Sequence, residues 1–163
     1  VVEGLHHNNL RYYKTDFVNR ERTVKNMRAL VLAATDMLCI KENMYQERPQ
    51  FGKWTLPKIV ARHFTDGERE MLVVYKEDNI EELVDAIYSM NFKIKLKIYV
   101  FSPDYDPYED EFVDVEDKVE LCALPAAIYD AYMQVIPKYK DKSVSFVPSD
   151  EENMSFDDEE GQA

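Results

Sequence analysis

The chain has 163 residues, of which 45% are hydrophobic, and a formal net charge of −12. This length suits one domain with a sizeable core, and no apolar run approaches the roughly 18 residues of a membrane-spanning helix. Its four glycines, at positions 4, 52, 67 and 161, are at least fifteen residues apart. This spacing excludes the glycine-rich turns that bind dinucleotides, S-adenosylmethionine or nucleotide phosphates, so we expect no cofactor-binding residue in this chain.

The charge is distributed unevenly along the chain. Residues 1–64 hold eleven Lys and Arg against six Asp and Glu, a net +5, whereas residues 65–163 hold nine against twenty-six, a net −17. Nucleic-acid phosphates would be attracted to the first part and repelled by the second. Cys39 and Cys122 each lie in an apolar run that we interpret as a buried strand, which is typical of reduced thiols in a cytoplasmic protein.

The composition predicts three regions. Residues 1–22 form an irregular segment rich in basic and aromatic side chains, residues 23–140 an α/β domain, and residues 141–163 an acidic, disordered tail. The first residues do not resemble a native start, so we expect a piece of a longer protein.

The first predicted elements follow the basic segment. Thr23 is a plausible N-cap for an amphipathic helix that should end near Thr35. Met37–Ile40 is then predicted as a short buried strand. Residues 43–66, which contain prolines and the only Trp, predict a hairpin or an extended excursion.

The remaining elements alternate regularly. Strands are predicted at Met71–Tyr75, Lys93–Val100 and Val119–Leu124, and helices after Asp78, with Glu81 completing a capping box, and after Pro125. This order is typical of a three-layer α/β fold with a largely parallel, Rossmann-like sheet and helices on its faces.

The basic segment offers the candidate DNA-binding residues. Basic side chains interleaved with aromatic ones can contact phosphates and bases. The candidates are Arg11, Tyr12, Lys14, Arg20, Arg22, Lys25 and Arg28. The alternative is a solvated lead-in to the helix, packed by Tyr12, Tyr13 and Phe17.

The acidic stretch FSPDYDPYEDEF, Phe101–Phe112, suggests three chemistries, and each match is weak. Asp104–Tyr108 resembles the D-P-P-Y adenine clamp of amino-methyltransferases but lacks one proline. A metal-dependent nuclease would use Asp104, Glu116 and Lys118. A calcium site would use Asp104, Asp106, Glu109 and Asp110, without the usual glycine turn. We therefore assign no catalytic or metal-binding residue, and we interpret His63 as a surface or packing residue.

Four strings carry a resemblance to a known family. LRYYKTDFV, MLCIKE, KIYVFS and ELCALP, which begin at Leu10, Met37, Lys97 and Glu120, resemble the C-terminal region of bacterial adenine-specific DNA methyltransferases. The similarity is to the modification subunit of type III restriction-modification systems, over roughly residues 8–137.

The resemblance implies a non-catalytic module that serves assembly, DNA positioning or both. The parent enzyme would use S-adenosylmethionine and flip an adenine in a domain upstream of this region. The implied partners are the rest of the methyltransferase chain, DNA, a second methyltransferase subunit or a restriction subunit. A metal-dependent nuclease and a pure protein-interaction domain remain the alternatives.

Overall fold

The computed structural model describes residues 11–103 and 108–137. The predicted tail at 141–163 lies outside these residues. Asp104 and Asp106 of the acidic stretch lie outside them as well. The helices are α1 (Val24–Glu42), α2 (Ile80–Tyr88) and α3 (Ala126–Val135). The strands are β1 (Gln46–Glu47), β2 (Gln50–Phe51), β3 (Trp54–Thr55), β4 (Ala61–Thr65), β5 (Glu70–Val74), β6 (Leu96–Val100) and β7 (Val119–Cys122).

The main sheet is mixed, in the order β1-β4-β5-β6-β7. The β1–β4 and β4–β5 pairs are antiparallel, and the β5–β6 and β6–β7 pairs are parallel. The α/β class is confirmed, but the prediction of a largely parallel Rossmann-like sheet is wrong. The cause is the tight turn between β4 and β5, where Gly67 has φ 99°. A turn this short can join only antiparallel neighbours, since parallel strands need a crossover.

Helices pack on both faces of this sheet. Side chains alternate along β5, so Leu72 and Val74 point to the core beneath α2, while Met71 and Val73 point to the core beneath α1 and α3. The β2–β3 hairpin adds Phe51 to the α2 side. Helix α1 and helix α2 therefore lie on opposite faces of the sheet.

Helix α1 is longer than the sequence predicts. The Thr23 hydroxyl accepts the Asn26 N–H at 3.1 Å, which confirms the predicted N-cap. The predicted end at Thr35 and the strand at Met37–Ile40 are wrong, because the buried stripe continues through Leu38 and Cys39 to Glu42. A four-residue apolar run does not distinguish a strand from a helix turn. The helix ends at Asn43, which adopts a left-handed conformation with φ 56°.

Helix α2 begins later than predicted. Glu77–Asn79 forms a 3₁₀ turn, and α2 has no side-chain cap, so the capping box of Asp78 and Glu81 is wrong. Its buried residues Ile80, Leu83 and Ile87 recur at three- and four-residue steps, as in an amphipathic helix.

The other predicted elements are present with shifted ends. A hairpin does occur within residues 43–66, at β2–β3, but strand β4 in the same region was missed. Strands β5, β6 and β7 and helix α3 match their predicted positions within a few residues. Within the described part of the chain, no helix combines the length and apolar character needed to cross a membrane.

Candidate nucleic-acid interface

Residues 11–22, here called the strap, have no regular secondary structure and are fixed at both ends. At one end the Arg11 guanidinium carbon lies 3.5 Å from the centroid of the Tyr45 ring, and the hydroxyls of Tyr13 and Tyr45 are 2.8 Å apart. At the other end Arg22 Nη1 donates to the carbonyls of Met133 and Ile136 at 3.2 and 3.0 Å.

The strap runs beside α1 in the opposite direction. Tyr45 follows the C-terminus of α1, whereas Arg22 precedes its N-terminus, so the chain between these anchors spans the helix length of about 28 Å. Ten residues of extended chain reach about 33 Å, which is enough to cover this distance. The strap is therefore an extended segment held at its ends.

The candidate cations differ in their surroundings. Arg11 and Arg22 are used by the anchors, whereas Lys14, Arg20, Lys25 and Arg28 are exposed. No carboxylate of the described residues forms an ion pair with these last side chains. Since residues 11–28 contain six Lys and Arg against two Asp and Glu, the net charge here is +4.

The aromatic side chains of the strap are exposed. Phe17 is 99% exposed and Tyr12 is 88% exposed, whereas Tyr13 is partly held by its bond to Tyr45. The alternative of a lead-in packed by these aromatic rings therefore does not describe Tyr12 or Phe17. Their faces are open to a planar group such as a base.

The ends of the acidic stretch are held by hydrogen bonds to the 3₁₀ turn after β5 and to α3. The Tyr108 hydroxyl contacts the Glu77 carboxylate and lies 2.8 Å from Ser102 Oγ. The Tyr129 hydroxyl donates to the Pro103 carbonyl at 3.2 Å. Tyr108 is half-buried against the α2-side core, with φ 58°. Its role in the described structure is to anchor the stretch.

The nuclease and calcium hypotheses each include residues outside the described structure. Of the nuclease residues, Glu116 is exposed, and Lys118 Nζ donates to the carbonyls of Tyr88 and Met90 at 2.7 and 3.0 Å. Of the calcium residues, Glu109 and Asp110 are exposed. Within residues 11–103 and 108–137, no three His, Cys, Asp or Glu side chains are grouped as a metal site would require. Both hypotheses stay predictions.

A polar network lies under the C-terminal end of α1 and was not predicted from the sequence. The buried Glu42 carboxylate accepts hydrogen bonds from Tyr99, Lys97 and Lys41 at 2.6, 2.8 and 2.9 Å. Burial raises the pKa of Glu42, but the bonds from Lys97, Tyr99 and Lys41 outweigh it and lower the pKa to about 2. The alternation of Lys97 and Tyr99 along β6 signals one polar face, but the sequence did not show that Glu42 completes it.

Two further polar side chains, both on β4, have structural partners. His63 is buried, with Nε2 2.7 Å from the Glu70 carboxylate and its ring 5.2 Å from the Phe51 ring, which confirms a packing role. Arg62 donates to both carboxylate oxygens of Glu47 at 2.9 Å. These contacts make both side chains part of the packing of β4, although His63 Nδ1 is buried without a hydrogen-bond partner among the described residues.

The two thiols are not arranged as nucleophiles. Cys39 is buried in α1, and burial raises its pKa to about 11. Cys122 is half-buried in β7, and burial raises its pKa as well. A thiol needs a lowered pKa to react as thiolate near neutral pH, so the environment of each opposes reactivity.

In comparisons with known proteins, no protein-family model, curated protein or solved structure matches the chain.

Proposed function

We propose that the chain is a non-catalytic module of an adenine-specific DNA methyltransferase of a restriction-modification system, and that it positions DNA and joins subunits. The supporting observation is the set of exposed, unneutralised cations on the strap and the first turns of α1. The methyltransferase is proposed as the parent enzyme because of the resemblance carried by the four strings LRYYKTDFV, MLCIKE, KIYVFS and ELCALP. S-adenosylmethionine would bind elsewhere in that enzyme, which performs the methyl transfer.

The positive charges of Lys25 and Arg28 lie at a position where they lower the stability of α1. The first turn of α1 has no acidic residue, and Lys25 and Arg28 lie close to its N-terminus. The helix dipole makes this end positive, so a cation there is unfavourable by about 0.3–1 kcal/mol. A phosphate would reverse that sign, because helix N–H groups and both side chains would then attract the same anion.

The strap adds cations and stacking surfaces along the length of α1. Arg20 is close in sequence to the N-terminus of α1, whereas Lys14 and the exposed ring of Tyr12 follow the anchor at Tyr45, and the exposed ring of Phe17 lies between them in sequence. Phosphate contacts supply the affinity of such a surface, and they carry no sequence information by themselves. The proposed role is therefore to hold DNA while the catalytic domain reads the sequence.

Fluorescence anisotropy with a labelled DNA duplex tests this role. The variant Lys14→Ala, Arg20→Ala, Lys25→Ala and Arg28→Ala should bind at least tenfold more weakly than the unchanged chain at low salt, since each cation contacts one phosphate. The anchors Arg11 and Arg22 stay unchanged, so that the strap keeps its position.

A matched control removes the same charge elsewhere. Arg48, Lys53 and Lys58 are exposed, Lys76 is partly exposed, and all four are far from the strap in sequence. Their replacement by Ala should leave binding within about twofold, apart from the general effect of net charge. An equal decrease in affinity in the two variants would show that only net charge matters and would refute the strap as the DNA contact.

The assembly role is supported by an exposed, largely apolar face of α1. Leu32, Met37 and Ile40 are 44%, 55% and 40% exposed, and Ala29, Ala33 and the exposed Asp36 lie on the same side at three- and four-residue steps. The opposite side of α1 is buried in the core. Exposed Leu, Met and Ile side chains grouped around a single carboxylate favour a partner on this outer face.

A second copy of the chain fits this face by size. Two α1 helices packed antiparallel about a point between residues 34 and 35 would place Leu32 against Met37, Ala29 against Ile40, and Asp36 against the small side chain of Ala33. Such a two-fold contact is self-complementary, with a larger side chain opposite a smaller one at the Ala29 and Ala33 pairs. The partner would then be a second methyltransferase subunit.

Sedimentation velocity tests the assembly role. The chain should dimerise at tens of micromolar or below, and Leu32→Gln with Met37→Gln should make it monomeric. Ile59→Gln is the control, because Ile59 is 50% exposed but lies outside α1. A dimer that survives the double substitution would contradict the α1 interface.

A further inference from the structure

A lysine-lined cleft of about 300 Å³ lies where α2 ends and β7 is about to begin. The residues around it are Asn91, Phe92, Lys93, Lys95, Asp117 and Lys118. Three cations and one carboxylate give the lining a net charge of +2, although residues 65–163 as a whole have a net charge of −17. The cleft is thus a local positive site in an acidic part of the chain.

Backbone carbonyls hold two of these lysines in place. Lys118 Nζ donates to the carbonyls of Tyr88 and Met90 at 2.7 and 3.0 Å, and Lys95 Nζ donates to the carbonyl of Glu116 at 2.9 Å. A carbonyl is neutral, so it orients an ammonium group without cancelling its charge. In the described part of the chain, no carboxylate forms an ion pair with Lys93, Lys95 or Lys118.

Donors remain available on all three lysines. An ammonium group has three N–H donors. The carbonyl bonds use two donors of Lys118 and one of Lys95, and no such bond to Lys93 is formed within the described residues. Because Lys95 and Lys118 are already oriented, an anion would lose less side-chain entropy on binding them.

The other lining residues suit the base of a nucleotide. Phe92 is half-buried, packs against the α2-side core and still lines the cleft, so it offers an apolar wall. An aromatic side chain can stack on any base, and the neighbouring Asn91 amide can both donate and accept hydrogen bonds.

We propose that this cleft binds a nucleotide, with its phosphate on Lys93, Lys95 and Lys118 and its base against Phe92. The site is separate from the strap, because α2 and α1 pack on opposite faces of the sheet. A free nucleotide and a single-stranded nucleic acid both offer a phosphate and a base. Binding measurements with both ligands show which of them the cleft prefers.

Titration of the ¹⁵N-labelled full chain, followed by NMR, provides the test. Adenosine 5′-monophosphate should shift the amide signals of residues 91–95 and 117–118, and inorganic phosphate should do so more weakly. Lys93→Gln with Lys95→Gln should weaken binding about tenfold, because the variant cannot form two of the charge-assisted hydrogen bonds to the phosphate. Lys118 is left unchanged, since its bonds also close the end of α2.

Controls separate the site from general charge. Lys53→Gln with Lys58→Gln removes the same charge from exposed positions and should leave the affinity unchanged. The variant of Lys14, Arg20, Lys25 and Arg28 should also bind the nucleotide normally. Thermal unfolding checks that each variant is folded.

The outcomes decide the proposal and the source. A short oligothymidylate that binds more tightly than the mononucleotide would support a strand as the ligand, whereas the reverse order would support a free nucleotide. Equal binding of phosphate and nucleotide would overturn the role of Phe92. Absence of shifts at 91–95 and 117–118, or an equal decrease in affinity in the control variant, would overturn the site.

Discussion

The substitution Glu42→Gln should make the chain less stable in a pH-dependent way. The Glu42 carboxylate is buried and accepts bonds from two ammonium groups and one hydroxyl, and its pKa falls from 4.5 to about 2. At about 1.4 kcal/mol per unit of pKa difference, the ionised Glu42 stabilises the folded chain by roughly 3 kcal/mol.

The sign follows from the lowered pKa. Stability from Glu42 is fully present above the unfolded pKa near 4.5 and is lost as the pH falls toward 2. Glutamine keeps the shape but cannot ionise, so it should cost about 2–3 kcal/mol at pH 7 and almost nothing near pH 2. The range allows for Lys41, whose side chain is 52% exposed and is therefore screened by solvent.

Urea unfolding of both proteins between pH 2.5 and pH 7 measures this difference. Glu68→Gln is the control, because Glu68 is exposed in the turn between β4 and β5, and its substitution should change stability by less than about 0.5 kcal/mol. A difference between the Glu42 proteins that is independent of pH, or below about 1 kcal/mol at pH 7, would refute the account of this network.

Three further predictions concern stability and reactivity. Leu38→Ala should lower the free energy of unfolding by about 3–5 kcal/mol in urea titrations, because Leu38 is fully buried on the inner side of α1. A decrease below about 1 kcal/mol would contradict its place in the core. Gly52→Ala should cost about 1 kcal/mol in thermal unfolding, since Gly52 has φ 61° and an added Cβ would lie 3.4 Å from Met90 Sδ; an unchanged midpoint would argue against this turn geometry. At pH 8, a thiol reagent should label Cys122 before Cys39 in the folded chain, as mass spectrometry can show, because Cys39 is buried with a pKa of about 11 and Cys122 is half-buried; the reverse order would contradict the position of Cys39 in α1.

The elements with a strong local pattern were predictable from the sequence. The stripe of Ile80, Leu83 and Ile87 defines α2, and the apolar run at Met71–Val74 defines the central strand β5. Thr23 marks the start of α1 through its hydroxyl. These signals depend on a few neighbouring residues, so tertiary packing did not override them.

The errors come from contacts between distant residues. Met37–Ile40 is apolar in either structure, and only its packing against the sheet makes it helical. The sheet is mixed because β4, hidden in an irregular-looking stretch, pairs with β5. An antiparallel partner of this kind has no signature in the periodicity of β5 itself.

The candidate site was predictable in part. The sequence shows that residues 11–28 are rich in basic and aromatic side chains, but it does not show which cations anchor the strap. Arg11 meets Tyr45, and Arg22 meets the end of α3, 111 residues further along the chain at Met133. The Glu42 network and the lysine cleft likewise join segments that the sequence keeps apart.

The salt dependence of DNA binding tests the central claim most directly. For the unchanged chain, the logarithm of the binding constant should fall linearly with the logarithm of the salt concentration. Replacement of Lys14, Arg20, Lys25 and Arg28 by Ala should make the slope shallower by about 0.9 for each phosphate that is no longer neutralised, or about 3.6 in all. A slope that is the same in both proteins would contradict the strap as a DNA-positioning surface.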